Sequence, residues 1–134
     1  MKKKIKFLLL CTLIFTMIFV PKNEVSAQDR TPFTVNVTAG GYRTSGGYRK
    51  KYDYASAAVT PDSGIYGGIY VTFRVRFARG GGIATDYKDF SGHYRQYLPY
   101  YSGLAIAGED YYLAASMDAG QPRNSATVKG YWAP

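Results

Sequence analysis

From Ile65 to Ala78 the chain alternates with strict period two, and this constrains the fold more than any other stretch. Ile65, Gly67, Ile69, Val71, Phe73, Val75 and Phe77 fall on one face; Tyr66, Gly68, Tyr70, Thr72, Arg74, Arg76 and Ala78 fall on the other. Successive side chains alternate across a strand, whereas a helix would need apolar residues every three to four positions, so no helical register fits. The glycines of Arg79-Gly80-Gly81-Gly82 then predict a turn. The same alternation recurs at Phe33–Thr38. It returns near the C-terminus, where Ala126, Val128, Gly130 and Trp132 oppose Thr127, Lys129 and Tyr131.

Shorter strands are expected between these. One runs from Tyr54 to Thr60 and is closed by Pro61-Asp62-Ser63-Gly64, with proline presetting a turn. Residues 83–90 are moderately strand-like, and His93–Leu98 extends to Pro99. Leu104–Ala107 and Tyr111–Met117 flank Gly108-Glu109-Asp110 like the arms of a hairpin, and Gln121–Asn124 reads as a further turn. The chain carries 15 glycines and 14 tyrosines, all beyond residue 27, and tyrosine favours strands while glycine opposes long helices. The sequence therefore predicts a single all-β domain over 28–134. An antiparallel β-sandwich of about seven to eight strands is expected, with a small β-barrel as the alternative.

Residues 1–27 predict a different fate. Lys2, Lys3, Lys4 and Lys6 precede an apolar run ending near Val20, and Val25-Ser26-Ala27 supplies small residues for cleavage before Gln28. That is the layout of a removed signal peptide, and it predicts a secreted protein, free or loosely wall-associated. Loss of Lys2, Lys3, Lys4, Lys6, Lys22 and Glu24 would bring the formal net charge from +8 to +4. The one cysteine, Cys11, would leave too, so the remaining domain would have no disulfide and no thiol chemistry.

Chemistry-bearing patterns are sparse. His93 is the single histidine, and a hydrolase would have to pair it with a serine and with Asp86 or Asp89, yet no nucleophile-elbow pattern surrounds any serine. Glu109-Asp110 falls in an expected turn. No alternating-Asp calcium loop and no His cluster occurs, so neither metal nor cofactor is predicted. The most suggestive stretch is Gly40–Tyr54, which holds Gly-Gly-Tyr-Arg at 40–43 and again at 46–49 and suggests a hairpin with similar flanks. Tyr42, Arg43, Tyr48, Arg49, Lys50, Lys51, Tyr52 and Tyr54 interleave rings with cations. Inside a cell that mixture suits nucleic acid; in an exported protein it suits sugar rings or anionic polymers.

The lysine-led leader is similar to those of low-GC Gram-positive bacteria. The tail Ala126-Thr127-Val128-Lys129-Gly130-Tyr131-Trp132-Ala133-Pro134, a V-x-G-x-W-x-P pattern, resembles that of small exported proteins grouped as domain of unknown function 2712, and Tyr111-Tyr112-Leu113-Ala114-Ala115 fits the same likeness. That family carries no established activity, so the resemblance implies export and no site residues. Bacteriocins of the lactococcin 972 type are similar in size and leader layout but have a histidine-rich pattern missing here.

The sequence thus predicts a secreted, non-enzymatic, bacteriocin-like envelope protein. It would bind an anionic or carbohydrate surface component through the residues from Tyr42 to Tyr54, with no nucleic-acid partner. Two alternatives stand beside it: a pore-former built from strands like 65–78, with Arg74 and Arg76 facing water in the soluble form, and a hydrolase using His93.

Overall fold

The computed structural model describes residues 30–44 and 47–134. The expected signal peptide lies outside the described residues. Among the described residues, nine strands form two packed antiparallel sheets: β1 (Thr31–Thr38), β2 (Gly41–Thr44), β3 (Arg49–Lys50), β4 (Ala57–Ser63), β5 (Val71–Phe77), β6 (Lys88–Phe90), β7 (Gln96–Leu98), β8 (Asp110–Met117) and β9 (Ser125–Ala133). One sheet has the order β1-β9-β4-β7, the other β2-β8-β5-β6, and β3 adds to β8 beyond β2. Each sheet is therefore four strands wide. The sheets do not close on one another, and the fold is the predicted β-sandwich.

The inward positions are those that the alternation marked. Phe33, Val35 and Val37 of β1, Val71, Phe73 and Val75 of β5, and Val128 and Trp132 of β9 are all buried in one cluster with Val59 and Leu113. Phe73 packs edge-on against Phe33 (5.6 Å) and Phe90 (5.0 Å), so its ring bridges the sheets. Each such ring contributes about 2–3 kcal/mol from burial alone.

Four local expectations are corrected. The 65–78 segment is not one strand, because Gly67 and Gly68 take φ of 72° and 80° and turn the chain before β5 begins. Ile65 and Ile69 still reach the core from either side of that turn. The backbone N–H groups beside it are captured by side chains: Ile65 N donates to His93 Nε2 (3.2 Å) and Tyr70 N to Gln121 Oε1 (3.2 Å). The surviving strand has seven residues, shorter than the roughly 9–11 that a membrane-spanning strand needs.

Residues 40–54 are not a hairpin. Gly41–Thr44 pair with Met117–Ala114, and Arg49 and Lys50 pair with Tyr111 and Asp110, so both halves run the same way along β8. The echo marks one edge used twice. Pro61-Asp62-Ser63 does not end a strand either. β4 continues through it, with a bulge between Pro61 and Ser63. Finally, Leu104–Ala107 forms no strand; the Tyr111 hydroxyl holds it, donating to Leu104 O (2.6 Å) and accepting from Ile106 N (3.0 Å).

Candidate binding groove

β5 lies at the centre of the second sheet and sends Thr72, Arg74 and Arg76 outward. Their cross-strand partners on β8 are Ser116, Ala114 and Tyr112, and Asp89 of β6 lies opposite Thr72 on the other side. Small residues on β8 beside long ones on β5 leave a trough. It is an open groove of about 490 Å³ lined by Thr72, Arg74, Arg76, Tyr87, Asp89, Ala114, Ala115, Ser116 and Asp118.

The groove's polar groups are positioned by neighbours. The Arg74 guanidinium stacks on the Tyr87 ring at 5.3 Å, which orients both groups at one wall. Thr72 Oγ1 donates to Asp89 Oδ1 at 2.6 Å, and the Tyr70 hydroxyl donates to Asp118 Oδ2 at 3.0 Å. That bond, followed by burial and the charge of Asp118, raises the Tyr70 phenol above its ordinary range, so it stays a donor. Among the described residues, no ion pair joins Arg74 to Asp89 or Asp118. Both signs of charge share one concave face without cancelling locally. Such a face can accept and donate hydrogen bonds to one ligand while an aromatic ring covers an apolar patch of it.

The structure disperses the residues first nominated as a binding patch. Tyr48 reaches the groove's sheet, lying edge-on to Tyr112 at 5.8 Å, and Tyr112 is opposite Arg76. Arg49, Lys50 and Tyr52 line a shallow notch with Asp53 and the C-terminal Ala133 and Pro134. Lys50 Nζ donates to Gly108 O at 2.8 Å and lies 3.7 Å from Asp110. Tyr54 projects into solvent at 80 % exposure. Tyr42 and Arg43 hold register positions opposite Ser116 and Ala115 on β8, and their side chains lie outside those described.

Lys51 is a correction, because it cannot serve a surface. Its side chain is fully buried. The ammonium donates to Asp53 Oδ1 (3.0 Å) and Ala55 O (2.7 Å) and sits 4.6 Å from the centre of the Tyr100 ring. A buried cation needs such partners, and here they clamp the β3–β4 loop.

His93 is also structural in its contacts. Nε2 accepts the Ile65 N–H, and the ring lies edge-on to Tyr66 at 6.1 Å. Asp86 caps the N–H of Tyr87 and Asp89 accepts from Thr72, so neither carboxylate orients the imidazole. Among the described residues, no group of three or more His, Cys, Asp or Glu side chains gathers as a metal would require.

Sequence reasoning missed the groove because each of its strands, taken alone, looks like a solvated face. The signal lay in combining them: Thr72-Arg74-Arg76, Tyr87-Asp89 and Ala114-Ser116-Asp118 each carry period-two polar or small residues, and only the strand order brings them side by side. Comparison of the chain with protein-family models, curated proteins and solved structures finds no match.

Proposed function

We propose that this protein is an exported, non-enzymatic binding module that holds a hydroxyl-rich carbohydrate of the bacterial envelope in the β5–β8 groove. The carrying observation is that Arg74, Asp89 and Asp118 stand on one concave face without pairing among themselves. Guanidinium and carboxylate groups match vicinal hydroxyls as donors and acceptors, and Tyr87 offers a ring face for the C–H side of a sugar. The anchored Thr72–Asp89 and Tyr70–Asp118 bonds support this reading, since preset partners reduce the ordering cost of binding. Export follows from the leader, and the small all-β sandwich is a scaffold on which a surface groove suffices for recognition.

The test is binding to purified envelope polysaccharide by titration calorimetry or pull-down. Arg74→Ala with Asp118→Ala is expected to weaken binding by about 10–100-fold, or roughly 1.4–2.7 kcal/mol. Arg49→Ala with Lys50→Ala, altering the notch instead, is expected to leave it nearly unchanged. Full affinity in the groove variant would overturn the assignment.

A further inference from the structure

Four strand edges bound the two sheets, and three are blunt. β6 and β7 have three residues each, and the β2/β3 edge is split into pieces of four and two. β1 is different. It is eight residues long, Thr-Pro-Phe-Thr-Val-Asn-Val-Thr, carries no charge, and pairs among the described residues only with β9. Proteins keep such edges from pairing by shortening them, charging them or placing proline in them. Here the single proline, Pro32, sits near one end.

The direction of β1's free groups follows from the prolines. Pro32 is opposite Tyr131, and Pro61 of β4 is opposite Gly130 on the other flank of β9. Neither proline has an N–H, so the arrangement that loses no ladder bond points Gly130 towards β1 and Tyr131 towards β4. The odd residues of β1 then face β9. The bond from Ala39 N to Asn124 O (2.8 Å), one step beyond the strand, has that parity. Consequently Thr34 and Asn36 turn both N–H and C=O outward and Pro32 turns its C=O, whereas at Thr38 the carbonyl is engaged with β8 through the Ala39–Met117 bridge and the N–H is left outward.

We infer that this edge pairs with β1 of a second copy of the chain, antiparallel about a two-fold axis through Val35. That register sets Thr34 opposite Asn36 of the partner subunit, where both exchange N–H···O bonds. It sets Thr38 opposite Pro32 of the partner subunit, where the missing donor falls at the ladder's end. An uncharged, self-complementary strand meets its own copy without repulsion, and isologous pairing closes the edge. The axis stands perpendicular to the joined sheet, so both β5–β8 grooves face the same side. If the groove reading above holds, the dimer grips a repeating polymer at two points, gaining avidity without new contacts.

Light scattering after size exclusion, over a concentration series of protein purified from expression of the full chain, tests the pairing without any ligand. The wild type is expected to become dimeric as concentration rises. Thr34→Pro, which deletes an outward donor and spares the β9 ladder, and Thr34→Lys, which places two like charges near the joint, are expected to remain monomeric with unchanged near-ultraviolet dichroism. A wild type that stays monomeric throughout, or a folded Thr34→Lys variant that still dimerises, would overturn the proposal. Binding distinguishes the two readings: the folded monomeric variant should bind a single polysaccharide repeat as the wild type does, but the long polymer at least about tenfold more weakly. Equal loss on both ligands would instead place Thr34 in the binding site and defeat the dimer account.

Discussion

Lys51 brings a charge into the base of the β3–β4 loop, where Asp53 and the Ala55 carbonyl share it and Tyr100 covers it. Nothing in the local string Arg49-Lys50-Lys51-Tyr52 separates this lysine from its neighbours. What buries it is tertiary: Lys51 N donates to Glu109 O (2.9 Å) and Gly108 N to Lys51 O (2.7 Å), which fastens its backbone to the turn before β8. His93 repeats the lesson, since the amide it accepts lies 28 positions away. Single-residue roles that depend on a distant backbone partner leave no mark in the sequence nearby. Removing Asp53 strands the Lys51 charge, and the Ala55 N–H loses its acceptor as well. Asp53→Ala should therefore cost about 1–3 kcal/mol, moderated because the carboxylate itself is half exposed. Lys51→Met should cost less than Lys51→Ala, since the buried stem is retained. Urea midpoints of the three variants measure this, and an Asp53→Ala midpoint equal to wild type would show that the ammonium finds other partners.

Elements were legible where one pattern held without interruption. β1 and β9 stand close to their predicted bounds because their inward residues alternate and nothing breaks them, and β8 does so as an apolar run bounded by turns, with Leu113, Ala114 and Ala115 buried in succession. β5 began later than expected because Gly67 and Gly68 preserve the apolar parity while turning the backbone, and parity alone cannot reveal a turn that conserves it. β4 ran further than expected because Pro61 occupies a position where no N–H is needed. That position makes a demand on the facing strand. A Cβ on Gly130 would lie 2.7 Å from Pro61 Cα and would strike the Thr60 carbonyl as well, both of them backbone that cannot rotate aside. Gly130→Ala should accordingly open the β4–β9 contact and destabilise by about 2–4 kcal/mol. Gly47→Ala is the control: nothing lies within 4 Å of its Cβ, although its φ of 79° adds a smaller strain. Thermal melts showing equal losses for the two would refute the packing argument.

At the scale of the molecule, the first described strand pairs with the last, and six of the eight connections between described strands pass from one sheet to the other. The sandwich class could be read from strand count and turn spacing, but this strand order could not, because alternation is indifferent to which neighbour a strand chooses. The groove and the free β1 edge both depend on that order, so both emerge only in the assembled fold. The described residues contain no cysteine, and cohesion rests on the core and the ladders. Within that core, two phenols make stability depend on alkaline pH. Burial is the leading cause that raises Tyr100, with Tyr111 and Asp53 adding to it, and burial likewise raises Tyr111. A phenol whose folded pKa exceeds its unfolded value near 10 contributes stability that is complete below about pH 10. As pH rises further, the unfolded chain ionises first and the folded state loses ground until its own phenols titrate. The urea midpoint should thus stay level from neutral to about pH 9.5 and fall steeply above it. Tyr100→Phe should flatten the fall at little neutral-pH cost, because the Tyr100 hydroxyl is buried with no hydrogen-bond partner among the described residues. Tyr111→Phe should flatten it too but lower the midpoint at every pH, by about 1–2 kcal/mol, since its hydroxyl fastens Leu104 and Ile106. A midpoint that ignores pH up to about 11, or a fall untouched by both substitutions, would mean that these phenols do not control the alkaline limit.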